Sequence, residues 1–354
     1  MRLRGGSSRA FPKKSFRITF DSGVPHPGIN RKINLRAEFN DRTTLRNFLA
    51  VQTLRRLTAV PAPSARFVRL TVNGAYYGLM AEVDVVDEHF LEAQGLAPDA
   101  PTYEADPPVT LSDQGAGALV PLPDRSLYAQ VYDKKVGPSS DYGDLVGLIE
   151  GAIWPDYLSS RAGGPAAARI GSRVDVGEYL DYLAAMALLQ NYDHIRKNYY
   201  LSLLPRPQGA PRWVAIAWDM DLTFGCLWDE GAMNTLCDAQ TFDADPARGR
   251  LPDGIEGGYP AQYFYNQLSH QFLADATLRR AFDARVCAYT RSPFWTTEVH
   301  ALIDAAAAHV RGAVGDDPND RNADLAGFDA EVARLHEFVR RRATFLRSAL
   351  ACTN

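Results

Sequence analysis

Long apolar runs are missing from this 354-residue sequence. No stretch approaches the roughly 18 apolar residues that a membrane-spanning helix needs, so no membrane span is expected. Cysteine is scarce: there are four, Cys226, Cys237, Cys287 and Cys352, with no CxxC pair among them. A structural zinc site is therefore not expected. Cys226 and Cys237 lie close together in a polar loop and read equally as a disulfide or as free thiols. The compartment stays open between the cytoplasm and an exported location. A surplus of one charge is also lacking. Lys+Arg 38 against Asp+Glu 42 give a net charge of −4, so nucleic acid and anionic membrane are not expected as main partners. The basic opening MRLRGGSSRAFPKK has no apolar core behind it and does not read as a secretory signal. The composition is 46% hydrophobic and 23% charged, that of a soluble globular chain long enough for one large domain of two lobes.

Most of the chemistry is concentrated between Asn191 and Gly225. Asp193 is followed five residues on by Asn198. Two β-like runs come next, Tyr199–Leu204 and Trp213–Ala217, joined by a Pro/Gly turn. The second leads into Asp219-Met220-Asp221. An acid, an amide five residues later and a hairpin ending in an acid is the order of a protein-kinase active site. On that reading Asp193 accepts or orients the proton of an incoming hydroxyl. Asp219 and the Asn198 amide oxygen are hard-oxygen candidates for Mg²⁺ or Mn²⁺, with Asp221 as a further ligand or a brace. His194 reads as structural, and Trp218 as a core residue. Each member also has a plainer reading: Asp193 as a cap, Asn198 as a turn residue, and Asp219-x-Asp221 as a strand-end turn or the metal site of a glycosyltransferase or phosphohydrolase.

Upstream, Gly5, Gly6, Ser7 and Ser8 form a small-residue loop suited to phosphate. Lys14–Phe20 alternates as a strand, with Lys14 on the apolar side and Lys13 on the other. Arg4 is placed to make a bidentate phosphate contact. Arg31–Phe39 reads as a strand and Thr43–Leu57 as a helix. That helix contains no Glu to pair with the lysine, which leaves Glu38 and Glu82 as the nearest acids. Asn73-Gly74 between Arg66–Val72 and Ala75–Val83 is a hairpin signal. Ala97–Gly171 reads as an irregular insertion, with Leu127–Lys134 strand-like and Asp141–Ile153 helical. Asp175–Leu189 reads as a buried helix with Asp175 as cap. Residues 260–350 form a helical tail whose arginines mark a solvated face.

Five blocks together resemble one family. RGGSSRAFPKKSFRITF, INLRAEFNDRTTLRNFLA, VNGAYYGLMAEVD, NYDHIRKNYY and AIAWDMDLTFG are similar, in this order, to the blocks of the CotH kinase family, atypical kinases named after a bacterial spore coat protein. The resemblance covers roughly residues 2–226. It implies an α+β, kinase-like two-lobe fold. The expected boundaries are a small antiparallel β lobe with one helix over residues 1–90 and a larger, mainly helical lobe over 91–354. It also implies ATP with Mg²⁺ or Mn²⁺, and transfer of the γ-phosphate to Ser/Thr hydroxyls of coat or surface proteins. Asp193 matches the family's catalytic-loop acid, Asp219 its metal-binding acid, and Lys13-Lys14 its P-K-K block. Alternation favours Lys14 as the phosphate contact. One departure stands out: four residues precede Gly5, so the strand expected before the glycine loop is missing. With it would go any export signal. A non-catalytic kinase-like assembly protein and an Asp-x-Asp glycosyltransferase are the alternatives.

Overall fold

The computed structural model describes residues 1–21, 31–112, 115–154, 166–191, 193–226, 228–229, 234–235, 266–319 and 324–352. Cys237 and most of the expected loops at 21–29 and 226–258 lie outside the described residues.

The first part of the chain builds an antiparallel sheet from β1 (Arg2–Arg4), β2 (Ser15–Thr19), β3 (Lys32–Arg36), β4 (Ala65–Val72) and β5 (Ala75–Asp84). The strand order is β1-β2-β3-β5-β4. The β4–β5 turn has Asn73 at φ 51° and Gly74 at φ 83°. Both central residues of a type I′ turn need positive φ, which is why Asn-Gly announces it in sequence. β1 corrects the expectation of a missing first strand: Arg2–Arg4 pairs antiparallel with β2. It was illegible because its single apolar residue, Leu3, is 53% exposed. Three residues carry no alternation to read.

Paired residues on neighbouring strands share a face. Leu3, Phe16 and Leu35 line up on one side, where Phe16 and Leu35 join Ile33, Ala37 and Met80 in a small core. Arg4, Arg17, Asn34 and Arg36 lie on the other side. There Ala81 and Val83 pack against Tyr200 and Ile216 of the second sheet and against Trp218 just beyond it.

The helix Arg46–Leu57 follows β3. Its start is held by the Asp41 carboxylate, which accepts from the backbone N–H of Thr43 at 2.9 Å and of Arg46 at 2.8 Å. That satisfies donors the first helical turn cannot pair itself. Arg46 is itself buried, ion-paired to Asp41 and, at 3.2 Å, to Glu331.

The second sheet is β7-β6-β8-β9, from β6 (Thr102–Ala105), β7 (Tyr132–Val136), β8 (Tyr199–Leu204) and β9 (Arg212–Ala217). This corrects the reading of 97–171 as an insertion, since β6 pairs with both β7 and β8. Four residues with Thr102 and Glu104 among them, next to prolines, gave no strand signal. The strand expected at 127–134 starts as a helical turn, Tyr128–Val131, and becomes extended at Tyr132. The helix expected at 141–153 is Gly143–Val146 followed by a wider π turn, Gly147–Ile153.

The buried central helix is Val176–Leu189, with Asp175 accepting from the Glu178 N–H. Glu178 does not return that bond; its Oε2 accepts from the Ala215 N–H of β9 at 3.2 Å. Among the described residues the tail is built from the helices Gln267–Ala274, Ala276–Arg291, Val299–Gly315 and Leu325–Ala349, with a π turn at Phe294–Glu298 leading into the third. The expectation that their arginines form a solvated face does not hold for all of them. Arg342 is buried and donates to the Ala187 carbonyl from Nε at 3.1 Å and Nη2 at 2.5 Å. That carbonyl belongs to the last turn of the central helix, where acceptors lack intrahelical donors. A disulfide, Cys287–Cys352, ties the end of the chain to the helix Ala276–Arg291. Cys226 is also disulfide-bonded, with its partner outside the described residues. Among the described residues, no helix is long and apolar enough to cross a membrane.

Candidate active site

Two loops leave the core side by side. The central helix ends at Gln190, which sits at φ 54°, and hands the chain to Asn191–Asn198. The second loop, Trp218–Gly225, follows β9. It is tied back to the helix by the Phe224 N–H, which donates to the Leu189 carbonyl at 3.0 Å. The first loop is held by the Asn198 N–H on the Ala105 carbonyl at 3.1 Å and by Asn266 Nδ2 on the Ile195 carbonyl at 3.2 Å. Thus β6, β9 and the central helix all fix the position of these loops.

Within the first loop, Asn198 Nδ2 donates to Asp193 Oδ2 at 2.6 Å, and the Asp193 N–H to Asn191 Oδ1 at 2.9 Å. Lys197 Nζ stands 3.4 Å from the same Asp193 oxygen. The structure therefore joins the two residues singled out by their five-residue spacing. His194 takes no part: its Nδ1 bonds the Asn191 carbonyl at 2.8 Å and its ring packs edge-on against Tyr182. Burial lowers its pKa to about 4. Trp218 is buried, as expected.

In the second loop Asp219 and Asp221 meet Arg36 of β3. Arg36 Nη1 contacts Asp219 Oδ1, and Nη2 lies 3.3 Å from Asp221 Oδ2. Its Nε donates to Glu38 Oε1 at 2.9 Å. Asn47, on the helix that lacks a Glu, bridges both parts. Its Nδ2 reaches Glu38 Oε1 at 3.4 Å, and its Oδ1 accepts from the Met220 N–H at 3.2 Å. Glu38, Asn198 and Asp219 have φ of 45°, 60° and 53°. Left-handed backbone at non-glycine residues costs about 1–3 kcal/mol each and persists where surroundings enforce it. The sequence reading named Glu38 only as a possible partner for a lysine and missed Arg36 and Lys197 altogether. The R-x-E spacing at the end of β3 was the available signal.

The electrostatics divide the carboxylates. Burial pushes Asp219 up, but Arg36 and Arg4 outweigh it and hold Asp219 below its usual range. Asp221 is pushed well up by burial and by the charge of Asp219. Asp193 is raised by burial, with Lys197 opposing. Glu38 is raised by burial against the pull of Arg36. Lys197 is raised, chiefly by Asp193. Among the described residues no group of three or more His, Cys, Asp or Glu forms a ready metal cage. A nucleotide-bound Mg²⁺ or Mn²⁺ needs only one or two carboxylates, with phosphates and water completing the shell. The hard oxygens of Asp219, Asn198 and Asp221 are of the kind that could meet that need, and the charge of Asp219 is felt at Asp193 and at Asp221.

Other expected contacts lie elsewhere. Lys13 is buried in an ion pair with Asp317 at 2.8 Å. Lys14 Nζ donates to the carbonyls of Arg9 and Phe11, at 2.8 and 2.5 Å, closing its own loop. Lys14 precedes the apolar face that alternation picked out, whereas Asp219 lies on the opposite, arginine-bearing side of the sheet. Gly6, Ser7 and Ser8 do not form an open cradle. Ser7–Ala10 is a 3₁₀ turn, with the Arg9 N–H on the Gly6 carbonyl and the Phe11 N–H on the Ser8 carbonyl, both at 3.3 Å. Glu82 pairs with Arg66 at 2.6 Å on the far face. Arg4 lies beside the second loop: its guanidinium is 5.4 Å from the Trp218 ring centre and acts on Asp219.

The inner spore coat protein H of Bacillus subtilis (strain 168) is 26% identical over 354 residues, 98% of this chain and 86% of that protein. A solved complex of the toxin–antitoxin system HipA, HipB and its operator DNA from Shewanella oneidensis MR-1 aligns with a TM-score of 0.37 and 11% identity. That alignment covers 96% of this chain and 66% of that one, a loose likeness. A family model described as CotH kinase protein matches residues 1–346, nearly the whole chain, and the protein belongs to that family.

Proposed function

We propose that the protein is an ATP-dependent kinase that transfers the γ-phosphate to Ser or Thr hydroxyls of a protein substrate of the coat or surface type. The observation that carries this reading is the joining of Asp193 to Asn198 at 2.6 Å, next to an Asp219 close enough to influence Asp193. Phosphoryl transfer asks a protein for positioning and charge neutralisation more than for covalent chemistry. Asp193 orients the acceptor hydroxyl and takes its proton, and its raised proton affinity suits that task. Asn198 and Lys197 hold the Asp193 carboxylate in place. Asp219, with Asn198 and Asp221, would hold Mg²⁺ or Mn²⁺, which when bound offsets negative charge on the phosphates. Arg36 keeps Asp219 ionised and fixes its orientation.

The test is incubation with γ-labelled ATP, either metal, and casein or the protein itself as acceptor. Label transfer is expected, as is thermal protection by ATP but not by UDP-sugars. Absence of transfer with both metals contradicts the reading, and protection by UDP-sugars alone points to a glycosyltransferase. A second reading, a non-catalytic assembly protein on this scaffold, is favoured by the contact of Arg36 with both Asp219 and Asp221. It predicts nucleotide binding without turnover, or none at all.

A further inference from the structure

The last two long helices bring together a pair of imidazoles far from the loops of Asp193 and Asp219. His300 and Asp304 stand one turn apart on the helix Val299–Gly315, so they share a face. His336 comes from the helix Leu325–Ala349. His300 Nδ1 lies 2.7 Å from His336 Nδ1, with the ring planes 14° apart. On its other side His336 places Nε2 3.0 Å from Asp304 Oδ1. An ionised carboxylate can only accept, so Nε2 of His336 carries a proton and its Nδ1 presents a lone pair to His300. The Asp304 side chain is 70% exposed and that of His336 19%, which leaves the pair open to solvent on one side. Burial, His336 and Arg340 lower the His300 pKa. That favours the neutral ring a metal ion binds. The Arg340 guanidinium is itself offset by Glu337 at 2.7 Å. A ring nitrogen with a free lone pair, whose partner nitrogen is held by a carboxylate, is how metal-binding histidines are oriented. Two nitrogens on one ion, each at about 2.0–2.1 Å, stand about 2.9–3.3 Å apart, so these rings need part by only a few tenths of an ångström.

We propose that His300 and His336 bind a divalent transition-metal ion of the zinc type through their Nδ1 atoms, with Asp304 orienting His336 and water completing the shell. Imidazole suits zinc, copper and nickel, whereas carboxylate oxygens suit magnesium and manganese. This site and the hard oxygens of Asp219 and Asp221 therefore take different ions. The ion replaces the proton between the rings. His300 then carries its proton on Nε2 instead of Nδ1, and two neutral imidazoles bind with no net proton change. The lack of CxxC pairs argues against a cysteine site and does not bear on imidazoles. Two nitrogens with water form an open site, distinct from a closed cage of three or more protein groups, which the described residues lack. The bound ion braces two helices that each hold another part of the fold. Asp317, just past the first, takes Lys13 and the Leu79 N–H. Arg342, on the second, donates to the Ala187 carbonyl. The site stands whether or not the protein transfers phosphate.

The test is equilibrium binding of Zn²⁺ to the full chain, in excess Mg²⁺ to occupy hard-oxygen ligands. It compares the wild type with His300→Gln, His336→Gln, Asp304→Asn and His309→Gln, and records the melting temperature of each with and without zinc. His309 is exposed on the same helix as His300 and controls for adventitious binding by a single imidazole. Asp304→Asn is expected to weaken Zn²⁺ by about 10-fold to 100-fold, the scale of a lost orienting partner, and each of His300→Gln and His336→Gln by about 100-fold or more. His309→Gln should leave the affinity unchanged. Zinc should raise the melting temperature of the wild type but not that of the His300→Gln, His336→Gln double variant. With Cu²⁺ as the probe, the electron paramagnetic resonance spectrum of the wild type should show coupling to two imidazole nitrogens. That spectrum needs no variant, so it decides even where a histidine change prevents folding. The proposal is overturned if zinc binding survives both His→Gln changes, if His309→Gln weakens it as much as they do, or if the wild-type copper spectrum shows fewer than two nitrogens.

Discussion

Lys13 Nζ lies 2.8 Å from Asp317 Oδ2, and neither side chain is exposed to solvent. The pair joins the start of β2 to the end of the helix Val299–Gly315. Asp317 Oδ2 also accepts from the Leu79 N–H of β5 at 2.7 Å. Close by, Asn319 Nδ2 donates to the Tyr77 carbonyl at 2.6 Å, and the Tyr76 hydroxyl to the Ala313 carbonyl at 3.1 Å. Gly78 is required at this join: at φ +151°, a Cβ there would meet Asp317 Oδ1 at 2.5 Å. A lysine that sequence order suggested for phosphate is thus a fastening between the first sheet and the helical tail.

The consequence is a stability effect that charge removal at a surface would not give. Lys13→Met strands the Asp317 carboxylate in a buried site. Breaking a buried pair from one side costs about 3–5 kcal/mol, so the denaturant midpoint should fall by a corresponding amount at constant slope. A change below about 1 kcal/mol would mean that solvent reaches Asp317 after all.

His194 sets a pH window. In the fold its pKa is lowered to about 4, against the ordinary value of 6.5. The unfolded chain therefore takes up a proton that the folded chain refuses between those values. The full stabilising difference is present above pH 6.5 and is lost progressively as pH falls toward 4. The loss amounts to about 3 kcal/mol at most, at 1.36 kcal/mol per unit. Urea titrations from pH 7 to 4 should show a downward slope in stability that His194→Gln flattens. An equal slope in that variant would assign the proton uptake to other groups.

The Cys287–Cys352 bridge spans 65 residues of chain. In the loop-entropy account a closure of that length contributes about 4 kcal/mol. Reduction, or Cys287→Ser, should lower the melting temperature by several degrees. Thiol counting under denaturing, non-reducing conditions should find none at these two positions. Equal melting of oxidised and reduced protein would contradict the expectation.

Elements whose signal is local were readable from sequence. Asn73-Gly74 announces its hairpin because few other residue pairs accept two positive φ values, and Asp175 ahead of Val176–Leu189 announces a capped, buried helix. The pairing of Asp193 with Asn198 was legible for the same reason, since both sit in one short loop. Features that depend on distant partners were not. Arg36 looks like an ordinary strand residue until Asp219 and Asp221 are brought to it. Arg46 and Glu331 are 285 residues apart, and the Ala187 carbonyl that buries Arg342 belongs to another helix. Lys14 was singled out by alternation. Alternation finds the apolar face of a strand, whereas Arg36 meets Asp219 and Asp221 on the other one.

The central claim is that Asp193 and Asp219 are the base and the metal-binding acid of a phosphotransfer site, and a pair of variants tests it most directly. γ-Phosphate transfer from ATP is measured for the wild type, Asp193→Asn and Asp219→Asn, alongside ATP affinity in the presence of Mg²⁺ or Mn²⁺. The account predicts that both variants lose about 10²-fold or more in transfer rate. Asp193→Asn should keep metal–ATP affinity, whereas Asp219→Asn should lose it. Transfer at the wild-type rate by Asp193→Asn, or metal–ATP affinity unchanged in Asp219→Asn, would contradict it.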